Sequence, residues 1–185
     1  SEWQSLQDAL AGLISSGSII LERLEAATLP ALQARLRRGP VHLLHFMGHG
    51  FFDRQTDRGG LIFEDDFGRG VVATADALTT LLRDQPALRL LFLAACQSAE
   101  GSIQNPFAGV ARGLIQQGVP AVLAMQFPVT ATAAVALARA FYAALADWLP
   151  ADAALSEARK AIVVSGNELE WATPVLFSRS EDNRL

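Results

Sequence analysis

The chain has 185 residues, of which 51% are hydrophobic and 18% charged, and its formal net charge is -4. These values suit one globular domain with a sizeable core and exclude a disordered chain. Without a basic block a nucleic-acid partner is not expected, and without an apolar run long enough to span a bilayer neither is a membrane. The single cysteine excludes an internal disulfide and favours a reduced, cytoplasmic setting. The bias towards Ala, Leu and Arg is of a bacterial kind.

The first part of the chain alternates between helical and extended patterns. Residues 3–15 carry apolar side chains at helical spacing, and residues 18–24 are rich in Ile and Leu, as in a short strand. Thr28 followed by Pro30 is a helix-start signal. An apolar run from Val41 then breaks into Gly48-His49-Gly50, which indicates a buried strand ending in a tight turn that holds one imidazole.

The rest of the chain continues the alternation. Residues 51–59 are polar and predict a loop, and a second buried strand over residues 88–95 leads into the only cysteine, Cys96, before another polar loop. The remaining predicted elements are a hairpin over 60–64 and 70–72, helices over 74–83, 107–117, 131–148 and 151–164, and strands within 119–127 and 171–177.

Apolar strands that alternate with helices predict an α/β fold, with a mainly parallel central sheet covered on both faces. In such sheets functional residues gather at the carboxyl ends of the strands. His49 and Cys96 each stand at such an end, so we expect them at the same edge of one sheet.

The order of histidine and cysteine narrows the class of enzyme. A thiolate nucleophile needs a nearby imidazole, and all three histidines, His42, His45 and His49, precede Cys96. Papain-like enzymes, glutaminases and α/β-hydrolases place the histidine last, and chymotrypsin-like enzymes are all-β. His49 lies 47 residues before Cys96 (96 − 49). This spacing agrees with the caspase-like α/β fold, whose histidine lies about 50 residues before its cysteine.

Three short segments are specific when taken together: Phe46-Met-Gly-His-Gly50, Ala94-Ala-Cys-Gln-Ser98 and Ala124-Met-Gln-Phe-Pro-Val129. Through them nearly the whole chain, from Glu2 to about Arg184, resembles the CHAT domain of the caspase and separase clan. The resemblance implies a caspase-like three-layer α/β/α sandwich that cleaves peptide bonds of a protein substrate, with His49 as base and Cys96 as nucleophile. It also implies an oxyanion hole from the backbone N–H groups of Gly50 and Cys96, where glycine lets a carbonyl approach closely. This chemistry requires no metal or other cofactor.

Two features depart from that family. Its members open with a buried strand before the first helix, whereas this sequence starts at that helix. We therefore expect residues 1–185 to be a fragment, either a piece of a longer protein or the product of an upstream cleavage, with a strand supplied by another segment or chain. Direct pairing of the segments around Ile19 and Leu44 would refute this. In the specificity pocket, Ala94 replaces the acid that metacaspases carry. With Gln126 as a candidate pocket residue, we expect a small, apolar or uncharged P1 side chain.

Other interpretations stay open. The domain could be a catalytically silent interaction module, or a regulated part of a larger sensor protein in bacterial defence or cell death, with a regulatory domain as partner. Asp53 is a candidate to orient His49, although a local turn bond is the plainer role. We expect His45 to pack beneath the site and His42 to be structural. A zinc site from the histidines and Cys96 is disfavoured, because strand alternation separates the histidines.

Overall fold

The computed structural model describes residues 1–53, 58–95, 106–127, 129–167 and 169–185. No helix within these residues is long and apolar enough to cross a membrane. The helices are α1 (Glu2–Ser15), α2 (Leu29–Leu36), α3 (Ala75–Leu82), α4 (Pro106–Gln116), α5 (Ala131–Ala146) and α6 (Ala151–Val164). The strands are β1 (Leu43–Gly48), β2 (Gly50–Asp53), β3 (Arg58–Glu64), β4 (Gly70–Thr74), β5 (Leu90–Ala95), β6 (Ala121–Met125) and β7 (Pro174–Ser178).

The central sheet has the order β1-β5-β6-β7, and its first three strands are parallel. β7 runs antiparallel to β6, a direction that the sequence pattern left open. The predicted α/β fold with a mainly parallel sheet is therefore confirmed.

Strand β5 shows how the sheet separates two apolar cores. Its residues Leu90, Phe92 and Ala94 pack towards α1, α5 and α6, whereas Leu91 and Leu93 pack towards α2, α3 and α4. Successive side chains of a strand point to opposite faces, so an apolar run with no polar residue can fill both cores. The result is a three-layer α/β/α sandwich, as predicted.

Threonine caps fix three of the helix starts. The side chains of Thr28, Thr74 and Thr130 accept a hydrogen bond from the backbone N–H three residues ahead, at the start of α2, α3 and α5. These bonds satisfy donors that a helix terminus leaves unpaired. The predicted start at Thr28 is thus confirmed.

A second, antiparallel sheet has the order β2-β3-β4 and packs on the core that contains α3 and α4. The predicted hairpin is confirmed, and its turn is closed by Asp65 Oδ1, which accepts from the N–H groups of Phe67 and Arg69, both at 2.9 Å.

The predicted loop over 51–59 is wrong in part, because Gly50–Asp53 pairs with β3. Residues 54–57 of that loop lie outside the described residues.

The predicted strand over residues 18–24 is also wrong. Residues 19–24 belong to no ladder, and β1 pairs only with β5 within the described part of the chain. An apolar, β-branched segment becomes a strand only where a partner offers backbone hydrogen bonds, so composition alone misleads here. The segments around Ile19 and Leu44 do not pair, and the expected extra strand stays a prediction.

Candidate active site

The parallel ladder of β1 and β5 ends where both predicted catalytic residues begin. Its last pair is Gly48 with Ala95. His49 follows Gly48 directly, and Cys96, which follows Ala95, lies outside the described residues. Paired strands run about 4.8 Å apart. The sheet therefore brings the residues that precede the predicted base and nucleophile into neighbouring positions at its carboxyl edge.

His49 joins the two sheets. Its side chain is exposed, and its carbonyl oxygen accepts a hydrogen bond of 2.9 Å from the N–H of Ile62 in β3. The glycine before it lies against the ring of Phe46, because a Cβ on Gly48 would be 2.8 Å from Phe46 Cζ and would require that ring to shift. The backbone of His49 is thus held on one side by the central sheet and on the other by β3.

Gly50 is oriented by the antiparallel pairing of β2 with β3. The register pairs Gly50 with Leu61, and the bond from the Ile62 N–H to the His49 carbonyl makes the preceding pair the hydrogen-bonded one. In an antiparallel ladder such pairs alternate with pairs whose N–H groups point outward. The N–H of Gly50 is therefore directed away from β3, as an oxyanion donor would need.

The other two candidate residues, Asp53 and Gln126, are separated from His49 along the chain. Asp53 is half-buried at the far end of β2, which places its Cα about 13 Å from that of His49 along an extended strand. Gln126 is exposed just after β6, and its N–H donates to the carbonyl oxygen of Thr173 at 2.8 Å. The roles of Asp53 and Gln126 stay predictions.

Glu170 was not identified from the sequence, yet it fixes the segment that follows Gln126. Its carboxylate accepts from the N–H of Thr130 at 3.2 and 3.3 Å, from the Thr130 hydroxyl at 2.9 Å and from Asn167 Nδ2 at 2.7 Å. These bonds connect the chain after β6 to the 3₁₀ turn Glu170–Ala172, which lies 40 residues further on. No local spacing pattern in the sequence predicts a contact between residues 40 positions apart.

His45 packs beneath this edge of the sheet, as expected. Its ring stacks on Phe92 with centroids 4.3 Å apart, and its Nδ1 lies 2.9 Å from the hydroxyl of Tyr142. Burial lowers the pKa of His45 to about 4 and raises that of Tyr142. His45 is thus neutral at pH 7, and its hydrogen bond with Tyr142 satisfies a polar group within an apolar core.

The other histidines are placed differently. His42 is exposed before β1, and its carbonyl oxygen accepts from the N–H of Arg89 at 2.8 Å. His45 turns into the core, whereas His42 and His49 are exposed at opposite ends of β1, so the three imidazoles do not converge on one site. Among the described residues no three His, Cys, Asp or Glu side chains are grouped so as to hold a metal ion.

Comparison with known families agrees with the fold. The family model of the CHAT domain matches residues 4–177, which include the turn at His49, Cys96 and the segment around Gln126. A search of curated proteins gave no match.

Proposed function

Because the chain belongs to the CHAT domain family, which is related to the caspase-like cysteine peptidases, we propose that it is a cysteine endopeptidase. The Cys96 thiolate attacks the scissile carbonyl carbon, and His49 delivers a proton to the leaving amine. A water molecule, deprotonated by His49, then hydrolyses the thioester and restores the thiol. This is nucleophilic catalysis by a dyad and needs only protein groups.

The observation that carries the proposal is the register of β1 with β5. The ladder ends at Gly48 and Ala95, so the chain leaves the sheet at neighbouring points towards His49 and Cys96. A base must come within hydrogen-bonding reach of its nucleophile, and pairing of adjacent parallel strands supports such an approach for residues 47 positions apart in the chain. The outward direction of the Gly50 N–H supports its role as an oxyanion donor, together with the N–H of Cys96.

The test is proteolysis of a proteome-derived peptide library, with the cut sites read by mass spectrometry. We expect cuts by the wild type and none by Cys96→Ala or His49→Gln, because each substitution removes one half of the dyad. His42→Gln is the matched control, since it alters an exposed histidine of the same region without touching the dyad. Equal cutting by wild type and Cys96→Ala would refute the peptidase.

The same library reports the P1 preference. A small, apolar or uncharged P1 residue is our proposal, with Gln126 at the pocket, because the chain lacks the acid at position 94 that favours basic residues. Strict cleavage after arginine or after aspartate would contradict it.

The alternative function is a catalytically silent module that binds partners within a larger bacterial sensor protein of defence or cell-death signalling. An electrophilic peptide analogue that alkylates thiolates separates the two functions. An active dyad predicts rapid labelling of Cys96 that slows in His49→Gln, because the imidazole supports the thiolate. Labelling at the same slow rate in both proteins would favour the silent module.

For partners, we propose that the outer edge of β1 is covered by an additional strand from an upstream segment or another chain. The side chains of Leu43 and Met47 pack only partly on one core, and those of Leu44 and Phe46 only partly on the other. A strand beside β1 with apolar side chains on both faces would complete the two cores and pair with the edge.

A further inference from the structure

The β2–β3–β4 sheet has an apolar face that is turned away from the core. Leu61, Phe63 and Ala73 point into the core, so the alternating residues between them define the opposite side, here called the outer face. Val72 is 40% exposed and Phe51 42% exposed on this face. Large aliphatic and aromatic side chains that are grouped on a sheet surface mark a contact site more often than single ones do.

Glycines shape the outer face. A Cβ on Gly60 would lie 2.5 Å from Val72 Cγ1, and a Cβ on Gly70 would lie 3.0 Å from Ile62 Cγ2. The side chains of Val72 and Ile62 therefore lean across positions that carry no side chain. The two side chains therefore form a continuous, flat apolar surface.

The register places His49 in line with this surface. Ile62 pairs with Val72 in β4, and its N–H binds the carbonyl oxygen of His49, so the three residues form one row across the sheet. Gly50 faces the core side with Leu61, which leaves His49 on the outer side with Ile62. Three strands at about 4.8 Å spacing span roughly 10 Å, the length of about three extended residues.

We propose that this row, Ile62 and Val72 with Phe51 beside it, binds the leaving-group side of the polypeptide substrate and selects apolar side chains there. The inference rests on the proposed peptidase function. The base that protonates the leaving amine must lie next to the first residue beyond the scissile bond. A substrate that continues past His49 along the row contacts Ile62 and then Val72. This contact removes the apolar surface of both side chains from water, which favours apolar substrate residues. Glu64 lies two residues from Ile62 on the same face, so acidic substrate residues are disfavoured.

Binding is tested first, without catalysis. Methyl NMR of Cys96→Ala is recorded with acetyl-Ala-Leu-Val-amide and, for comparison, acetyl-Ala-Asp-Glu-amide. The apolar peptide is expected to shift the methyl signals of Ile62 and Val72 and to leave those of Val71 unchanged, because Val71, which is 43% exposed, pairs with the core-facing Phe63. No shift at Ile62 and Val72, or equal shifts with both peptides, would overturn the surface.

Selection is tested with the cleavage library. Wild-type cuts are expected to be enriched at least threefold in apolar residues at the three positions after the scissile bond, and Val72→Asp to abolish that enrichment while Val71→Asp retains it. Cuts without the enrichment, or an enrichment that Val72→Asp leaves intact, would overturn the inference while the peptidase stands. If peptides bind at Ile62 and Val72 but nothing is cut and Cys96 is inert, the peptidase falls and the substrate assignment falls with it.

Discussion

The buried His45 makes the stability of the core depend on pH. The imidazole is stacked on Phe92, bonded to Tyr142 and neutral, because burial lowers its pKa to about 4 from 6.5. Protonation would place a charge in an apolar environment, which the unfolded chain avoids by exposing the ring to water. Each proton taken up by this ring therefore favours unfolding.

We expect the free energy of unfolding to be highest above pH 6.5 and to fall as the pH drops towards about 4. The lowering of the His45 pKa from 6.5 to about 4 corresponds to a loss of about 3 kcal/mol in the free energy of unfolding. Urea unfolding at pH 7 and at pH 4.5 measures it. The loss should be much smaller in His45→Gln, which cannot take up the proton, and unchanged in the exposed control His42→Gln. An equal loss in wild type and His45→Gln would show that other groups are responsible.

The sequence predicted His49, Cys96 and Gly50 as candidates because a motif brackets each of them. The partner of His45 could not be found in the same way, since Tyr142 lies 97 residues further on and the contact exists only once α5 packs on the sheet. Glu170 is a similar case, because its bonds to Thr130 depend on where two loops end. Residues that act through a long-range contact carry no local signature.

Among the secondary-structure elements, β3 depends on a glycine for its packing. A Cβ on Gly60 would meet Val72 Cγ1 at 2.5 Å and the backbone oxygen of Ala73 at 2.9 Å, and the oxygen cannot move without the strand. We expect Gly60→Ala to lower the free energy of unfolding by about 1–3 kcal/mol, as overpacking does.

Helix α1 offers the matched control. A Cβ on Gly12 would meet nothing within 4 Å, and the residue lies inside a helix. Gly12→Ala should therefore raise the free energy of unfolding by about 0.5–1 kcal/mol. Urea titration of the two variants checks both signs, and a stable Gly60→Ala would mean that β3 and β4 can separate locally at little cost.

At the same scale, the helices and the long apolar strands were predicted from their own patterns, whereas two short segments were assigned wrongly because their pairing depends on a neighbour. Helices α5 and α6 follow from apolar spacing and from a cap or a proline at their starts. Residues 18–24 have the composition of a strand and form none, whereas residues 51–53 fall within a predicted loop and pair with β3. Strand formation is decided by the neighbour that is present, which a single sequence does not state.

For the whole molecule, the order of the central sheet leaves β1 with an edge that no described strand covers. β5 and β6 have strand partners on both sides, whereas β1 has one partner within the described residues. β1 carries no charged residue or proline, the usual means by which proteins protect an exposed edge. An apolar, partly buried edge without such protection is suited to pairing with a further strand.

Hydrogen exchange measures this directly. In a parallel strand alternate N–H groups point to either side, so about three of the six amides of Leu43–Gly48 lack a ladder partner in β5. We expect these amides to exchange far faster than those of Ala121–Met125, which lie between two strands and are buried. A polypeptide that supplies the extra strand should slow them to the rate of their neighbours. Full protection of all six in the isolated chain would contradict an open edge, and a sedimentation measurement would then show whether a second copy occupies it.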